Sequence, residues 1–562
     1  MPNPVLKAGS RPPWVGLAAA VWVQTASGNS CNFILFSSAL KSVMGLNQQQ
    51  VTLLGVANDI GESVSLPAGY ACNKLPPWAL ILIGSVLCFL GYGVIWLTIT
   101  QTLSNLPYIL LWIALCVATN SCAWYGTAVL VTNMRNFPLS RGSVSGILKG
   151  YVGISAAVYT LIYLMILGKS SSELLLFLTI GIPVICLALM CFVRPCVPPS
   201  GEDSSVHVHF ILVQAASILL AIYLVTATVL DEVISLSDAV SYIIIAIMII
   251  LLMTPLAIPV KMTLFPAKKK GPQDGSSGQL VSDDDLTHLD PLLTPSSSAA
   301  CLGSSNENEY ASDIDILLAE GEGAVRKKRR PKRGEDFKFR EAIVKADFWL
   351  LWFVYFFGVG TGVTVLNNLA QIGVAQGVDD TTILLSVFSL CNFTGRLGAG
   401  VVSEHFVRSK ALPRTFWMTC TQVIMILVFI LYALAYYGTL YVATGLLGIC
   451  FGVQFSIMLP TVSELFGLRN FGVFSGFMQL GNPIGAFLFS FLLAGSVYDA
   501  EASKNGGSTC YGASCFRLTF LVLAGACALG TILSIILTVR IRPVYQMLYA
   551  GGSSQVPQAS DH

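Results

Sequence analysis

Charge is what this sequence has least of. Lys, Arg, Asp and Glu make up 11% of its 562 residues, while 54% are hydrophobic. An average soluble domain carries about 25% charged residues, so a soluble globule is excluded. Histidine is rarer still, with five in the whole chain, all at or beyond the ends of the apolar stretches. No His-Glu-x-x-His run or Ser/His pairing falls inside those stretches, which makes an intramembrane enzyme a poor reading. No Gly-x-x-x-x-Gly-Lys phosphate loop is present, so nucleotide hydrolysis is not expected as a power source. Neither a metal, a cofactor nor a nucleic acid is expected as a partner.

Long apolar runs are abundant instead. A helix needs about 20 mainly apolar residues to cross a bilayer. Fourteen stretches meet this near 14–38, 50–72, 77–100, 107–132, 143–168, 173–194, 208–230, 239–260, 347–374, 381–403, 415–436, 440–463, 470–496 and 516–540. The first follows Lys7 and Arg11 as a signal peptide would. Its length and its internal Gln24, Asn29 and Asn32 argue for a retained helix. With Met1 in the cytosol, all but four of the 32 Lys and Arg residues fall on the cytosolic side, the exceptions being Lys41, Lys169, Lys504 and Arg517. That matches the positive-inside bias and places both termini in the cytosol. Counting one span at 208–260 instead of two would strand the basic central loop outside.

The chain divides on composition. Residues 1–200 hold six spans, 201–260 two more, and 346–542 the last six, with a cytosolic tail at 543–562. Between them, 261–345 is rich in Ser, Gly, Asp and Lys and is expected to be a disordered cytosolic loop. Its basic run Arg326–Arg333 suits anionic lipid at roughly 1 kcal/mol per charge, or a nuclear-localisation signal. Asp313-Ile-Asp-Ile-Leu317-Leu318 fits an acidic dileucine sorting signal. A faint repeat links the two sets of six. Arg135-Asn-Phe137 with Ser145-Gly-Ile-Leu-Lys149, and Arg469-Asn-Phe471 with Ser475-Gly-Phe-Met-Gln479, occupy the same slot of a six-helix unit. Paired repeats around a central cavity are a common transporter design.

An ionisable residue inside hydrocarbon costs several kcal/mol and is a functional candidate for that reason. Asp59 and Glu62, three residues apart, share one helix face in the second span. Neighbouring carboxylates in a low dielectric hold protons more readily, which suits proton coupling; the alternative is a protonated pair that fixes packing. Arg396 in the tenth span and Lys149 in the fifth lie at similar depth and together can hold an anion. Arg396 can equally pair with Glu404 or a helix end and close a cytosolic gate, and Lys149 can snorkel to the interface. Lys74, Arg135, Arg141, Glu464 and Arg469 complete the gate set. Gln24, Asn29, Asn32, Trp124, Tyr125, Asn367, Asn368, Asn392, Gln454, Gln479 and Asn482 are candidates for lining a wet cavity, or for helix-to-helix hydrogen bonds. Gly142, Gly146, Gly150 and Gly153 give the fifth span a small-residue face for close contact. Most of the fifteen cysteines read as small buried residues. Cys510 and Cys515 lie in the one sizeable outward loop, where a disulfide is the alternative.

Six segments carry a family resemblance: Trp22-Val-Gln24, Leu54-Gly-Val-Ala-Asn-Asp59, Ala128-Val-Leu-Val-Thr-Asn133, Arg141-Gly-Ser-Val-Ser-Gly-Ile-Leu-Lys-Gly-Tyr-Val-Gly153, Arg333-Gly-Glu-Asp-Phe337 and Gly395-Arg-Leu-Gly-Ala-Gly400. The chain resembles the plant nodulin-like branch of the major facilitator superfamily, of the nuclear-fusion-defective type, from about Trp14 to Arg540. The resemblance implies an all-α membrane protein of the major facilitator fold, with two six-helix bundles plus two inserted helices, about 14 transmembrane helices in all. It also implies alternating access. A looser similarity is to monocarboxylate and oxalate–formate carriers, whose Gly-Arg-x-x-x-Gly-x-x-x-acid run fits Gly395-Arg396, Gly400 and Glu404. Where those carriers have an acid four residues before the Arg, this chain has Asn392. The superfamily's first cytosolic loop reads Gly-x-x-x-Asp; here it is Gly69-Tyr-Ala-Cys-Asn73-Lys74, so a weaker gate is expected there.

The expected function is a secondary active or facilitative transporter of a small polar or anionic solute, such as a carboxylate, with or without protons. The alternative is a transporter-derived sensor or scaffold acting through the central loop. The location is a multi-pass membrane protein of either the plasma membrane or a vacuolar or endosomal membrane.

Overall fold

Apolar runs of 19 to 35 residues dictate the architecture, because a backbone in hydrocarbon must satisfy its own hydrogen bonds and helices do so internally. A computed structural model describes residues 11–46, 48–103, 106–196, 204–233, 237–264, 336–378, 382–436, 438–504 and 510–549. Helices α1 (Arg11–Ala26), α2 (Phe33–Met44), α3 (Gln48–Ser63) and α4 (Leu66–Ala71) come first, followed by α5 (Pro77–Ile99), α6 (Tyr108–Asn136) and α7 (Arg141–Met165). Helix α8 (Ser171–Leu189), α9 (Ser204–Val233) and α10 (Asp238–Leu264) precede the central segment. After it come α11 (Ala346–Asn367), α12 (Leu369–Ala375), α13 (Thr382–Lys410), α14 (Thr415–Leu434), α15 (Thr439–Phe466), α16 (Phe471–Lys504) and α17 (Ser514–Tyr549). The basic run 326–333, the dileucine segment and residues 265–335 of the loop 261–345 lie outside the described residues, as does the end of the tail.

Twelve helices among the described residues are long and apolar enough to cross a membrane, and each coincides with one of the fourteen expected stretches. The remaining two stretches, 14–38 and 50–72, are broken helices. The first breaks where Gly28 passes so close to α7 that an added Cβ would sit 1.7 Å from Ser155 Oγ. Side chains satisfy the carbonyls the break releases, as an apolar setting demands. Tyr159 hydroxyl donates to Ala26 O at 3.2 Å, Tyr92 hydroxyl to Asn29 O at 3.2 Å, and Asn32 Nδ2 to Asn29 O at 3.1 Å. The second breaks before Pro67, which has no N–H to continue the ladder. Asn120 Nδ2 there donates to Gly61 O at 2.9 Å and Val64 O at 2.8 Å.

Packing follows the glycines. Helices α5 and α6 pack where Gly84 meets Trp124 and Tyr125 and Gly91 meets Ala118, and α13 packs on α15 where Gly395 meets Ile449 and Gly448 and Gly452 meet Phe388 and Asn392. Helices α9 and α10 pack against α7, with α10 also on α1 and α9 reaching α13. Two seams join the early helices to the late ones. In one, α7 lies on α13, and an added Cβ at Gly400 would meet Gly142 O at 2.6 Å and Gly146 Cα at 3.0 Å. In the other, α4 lies on α16, and a Cβ on Gly69 would meet Gly472 O at 2.2 Å.

Candidate functional site

The break between α1 and α2 puts polar residues at mid-helix depth. Asn29 is fully buried, accepting from Tyr92 hydroxyl at 3.0 Å and donating to Ser121 Oγ at 3.1 Å. Its neighbour Ser30 donates to Glu62 Oε2 at 2.8 Å. Between buried Ser30 and buried Asn32, Cys31 is exposed to solvent. A solvent-accessible space therefore reaches the middle of the helical layer. Glu62 and Lys149 keep partial exposure there, and Glu62, Lys149 and Arg396 act on one another electrostatically.

Arg396 is the organising cation. Its Nε donates to Asn392 Oδ1 at 3.0 Å and its Nη1 to Lys149 O at 2.9 Å, while the guanidinium lies 5.0 Å from the Phe455 ring centroid, a cation–π distance. Lys149 and Arg396 thus meet across the α7–α13 seam, from opposite sets of helices. Tyr355, packed edge-on to Phe455 with centroids 5.6 Å apart, interacts electrostatically with both Arg396 and Glu62. Its buried hydroxyl has no partner among the described residues. Asp59 interacts with Glu62 and has the Asn58 and Asn367 amides beside it.

Other expected cavity residues are placed differently. Tyr125 is buried against α5 and donates to Ser85 Oγ at 3.0 Å. Gln454 bonds to Met418 O and Thr421 Oγ1 of α14, at 3.1 and 2.9 Å. A deep polar side chain must find a partner, and these two find theirs within their own helical set. Trp124 donates to Asn120 Oδ1 at 3.0 Å, Asn368 to Ser490 Oγ at 2.8 Å, and Gln479 back to Ser475 O at 3.3 Å. Gln24 Oε1, Asn32 Oδ1 and Asn482 Oδ1 are buried without a partner among the described residues.

The gate set separates into two groups. Glu404 does not pair with Arg396; Arg414, the N-cap residue of α14, takes it at 2.8 Å. Fully buried, Arg414 also holds Glu464 at 2.8 Å and Ser403 Oγ at 2.9 Å. Tyr545, near the end of α17, donates to Glu464 Oε2 at 2.6 Å. The 36 residues of α17 run about 54 Å against about 30 Å of hydrocarbon, so the last turns reach beyond the span. Glu404 is also the cross-seam acceptor, taking Gly142 N–H at 2.9 Å, and Arg408 bonds Glu404 at 3.0 Å, Ser140 Oγ at 3.2 Å and Leu139 O. Arg141 donates to Ser463 O at 3.1 Å.

At the α4–α16 seam the contacts carry no carboxylate from α4. Arg135 donates to Leu468 O at 3.2 Å, Arg469 O at 3.0 Å and Asn73 Oδ1 at 3.3 Å, and Asn73 donates to Asn470 Oδ1 at 3.2 Å. Arg469 contributes its backbone, whose N–H bonds Asp336 Oδ1 at 3.1 Å. Lys74 turns to the Tyr70 ring, 4.7 Å from the centroid. Cys510 and Cys515 are disulfide-bonded, and Gly512 N–H ties their loop to Ala375 O of α12 at 2.8 Å.

A helical membrane protein in which broken helices, a central charge cluster and glycine seams join two sets of helices is a membrane transporter of the major facilitator type. Comparison with known proteins places it more closely. Residues 13–260 match the Nodulin-like family and residues 335–547 the NFD4 C-terminal domain. The chain is 28% identical over 550 residues to Protein NUCLEAR FUSION DEFECTIVE 4 of Arabidopsis thaliana, covering 95% of this chain and 90% of that one. It is 26% identical over 161 residues to the uncharacterized MFS-type transporter YhjX of Escherichia coli strain K12, covering 27% and 38%. Among solved structures, the human organic anion transporter MFSD10 superposes with a TM-score of 0.54 at 10% identity, covering 93% of this chain and 99% of that one. This chain belongs to the nodulin-like, nuclear-fusion-defective type of major facilitator protein.

Proposed function

We propose that the protein moves a small anionic solute, of the carboxylate class, by alternating access, with Arg396 and Lys149 as the anion contacts. The observation that carries this reading is the meeting of Glu62, Lys149 and Arg396, drawn from both sets of helices, around a solvent-accessible space. An arginine fork suits a carboxylate, and a site shared between both sets is remade each time they rock. Tyr355 hydroxyl, buried without a partner, is a donor that such a solute would satisfy. Asp59 and Glu62 carry the coupling proton: Glu62 shares the anion's electrostatic field, so its protonation strengthens the site for a negative solute.

With both termini cytosolic, the ionic network around Arg414 closes the cytosolic side, and exposed Cys31 marks a path from the other side. The sensor or scaffold reading rests on a loop mostly outside the described residues.

Uptake screening in proteoliposomes with an imposed pH gradient tests the proposal. A panel of radiolabelled monocarboxylates and dicarboxylates should include one whose uptake needs the gradient. Arg396→Gln and Glu62→Gln should each abolish that uptake while leaving the purified protein folded. Equal uptake by Arg396→Gln would remove the anion site.

A further inference from the structure

The expected readings leave α9 and α10 without a task, yet a cavity of about 410 Å³ lies where α9 meets α7 and α13. Two of its polar linings are unusual. Ser143 and Gln214 are each only 7% exposed, and neither has a hydrogen-bond partner among the described residues. Their hydroxyl and amide therefore face the cavity, where a ligand can accept from them. His207 and His405 are exposed at the same cavity, beside Ser409 and Arg408. Glu404, the one acid there, is already neutralised by Arg414 and Arg408.

The walls change character with depth. Ile211 and Val401, both on helices apolar enough to span, expose 48% and 37% of their surface beside the cavity. The histidines and Arg408 sit toward the ends of those same helices. The cavity therefore runs from polar donors at the level of a membrane interface to apolar walls at the level of hydrocarbon. Trp14, Phe137 and Phe210 pack tilted or edge-on with centroids 4.9–5.3 Å apart and fix this end of α9 to the first helices.

We propose that this cavity is a binding site for one glycerophospholipid of the cytosolic leaflet. The phosphodiester accepts from His207 and His405, the glycerol ester carbonyls accept from Gln214 and Ser143, and an acyl chain lies along Ile211 and Val401. The occupant touches α7, α9 and α13 together, and Glu404 on its wall is the residue that accepts Gly142 N–H across the seam. Lipid in this position holds the seam closed, which gives the inserted helix a role in setting how readily the carrier turns over.

Native mass spectrometry of the full chain in detergent, titrated with phosphatidylglycerol, tests the assignment. The wild type should retain one lipid per chain. Gln214→Leu, close in size to the amide, should weaken retention about ten-fold, as expected for a lost hydrogen bond of about 1.4 kcal/mol, with a lipid-free melting midpoint at or above wild type. His207→Phe, at an exposed position that cannot disturb packing, should weaken it similarly. Unchanged retention in both variants overturns the site. Displacement of the lipid by an equal concentration of glycerol 3-phosphate overturns the lipid in favour of a soluble phosphate ester.

Discussion

The two seams between the early and late helices are built alike in backbone and unlike in charge. At α7–α13, Gly142 and Gly146 face Gly400; at α4–α16, Gly69 faces Gly472. Both let helix backbones touch, which is the usual means of close association where lipid offers no hydrophobic drive. Behind the first seam stands a buried network of Glu404, Arg414, Glu464 and Tyr545, and behind the second stand Asn73, Asn470, the partly exposed Arg135 and Asp336. The Asp336 carboxylate takes the Arg469 backbone and no cation's side chain among the described contacts. Asn73 stands where the superfamily pattern has an acid. Glycine thus brings the backbones together at both seams, and the buried ionic hold belongs to one of them.

Removing the buried cation should have the largest effect. Arg414→Leu leaves Glu404 and Glu464 buried without their partner, and breaking such a pair costs about 3–5 kcal/mol. Thermal unfolding of the purified protein should fall by that equivalent, whereas Arg135→Ala at the other seam should cost about 1 kcal/mol, because solvent competes for its charge-assisted bonds at this partly exposed site. Equal losses would show that the asymmetry has no energetic content. Tyr545→Phe isolates one bond of the network. A hydrogen bond to a charged group contributes about 1.5–3 kcal/mol, and its loss should appear as a smaller fall in the same melt, together with faster hydrogen exchange at the end of α17.

The seams can also be opened from the backbone side. Gly400→Ala puts a methyl 2.6 Å from Gly142 O, and Gly69→Ala puts one 2.2 Å from Gly472 O. Neither neighbour is a movable side chain tip, so the helices must separate, at an overpacking cost of about 1–3 kcal/mol. Hydrogen exchange across residues 141–153 should rise in Gly400→Ala and stay near wild type in Gly69→Ala, while residues 471–479 show the reverse. A rise at both seams in either variant would mean that the closed end moves as one rigid piece.

How much of this was legible in sequence follows from range. The apolar runs show themselves, because each must be about 20 residues long wherever it packs. The α7 glycine face was visible at its helical spacing, and so were Glu62, Lys149 and Arg396, since a charge in a span stands out against its neighbours. Gly28 and Pro67 were visible too, but a break in a span depends on partners such as Tyr159 and Asn120 that lie far along the chain. Arg414 follows Pro413 at the start of α14 and reads as an ordinary interfacial cation. Its burial depends on Glu404 and Glu464, 10 and 50 residues away. The same limit hid Gln214, whose isolation is a property of the cavity it lines and not of the residues around it in sequence.

The smallest expected effect comes from restoring charge to the weaker seam. Asn73→Asp places a carboxylate where Arg135 Nη2 already lies 3.3 Å from the Asn73 side-chain oxygen. The site is exposed, and an exposed ion pair contributes about 0.2–1 kcal/mol and is screened by salt. The same change replaces the amide that donates to Asn470 Oδ1 at 3.2 Å, which offsets part of the gain. Net stabilisation should therefore stay under about 1 kcal/mol, visible at low salt and gone at about 1 M, where the screening length is only about 3 Å. Transport should slow by less than about five-fold, the rate equivalent of 1 kcal/mol in a barrier. A slowing that persists at high salt would mean that the seam senses shape at position 73, and that its missing acid is not what distinguishes it from the α7–α13 seam.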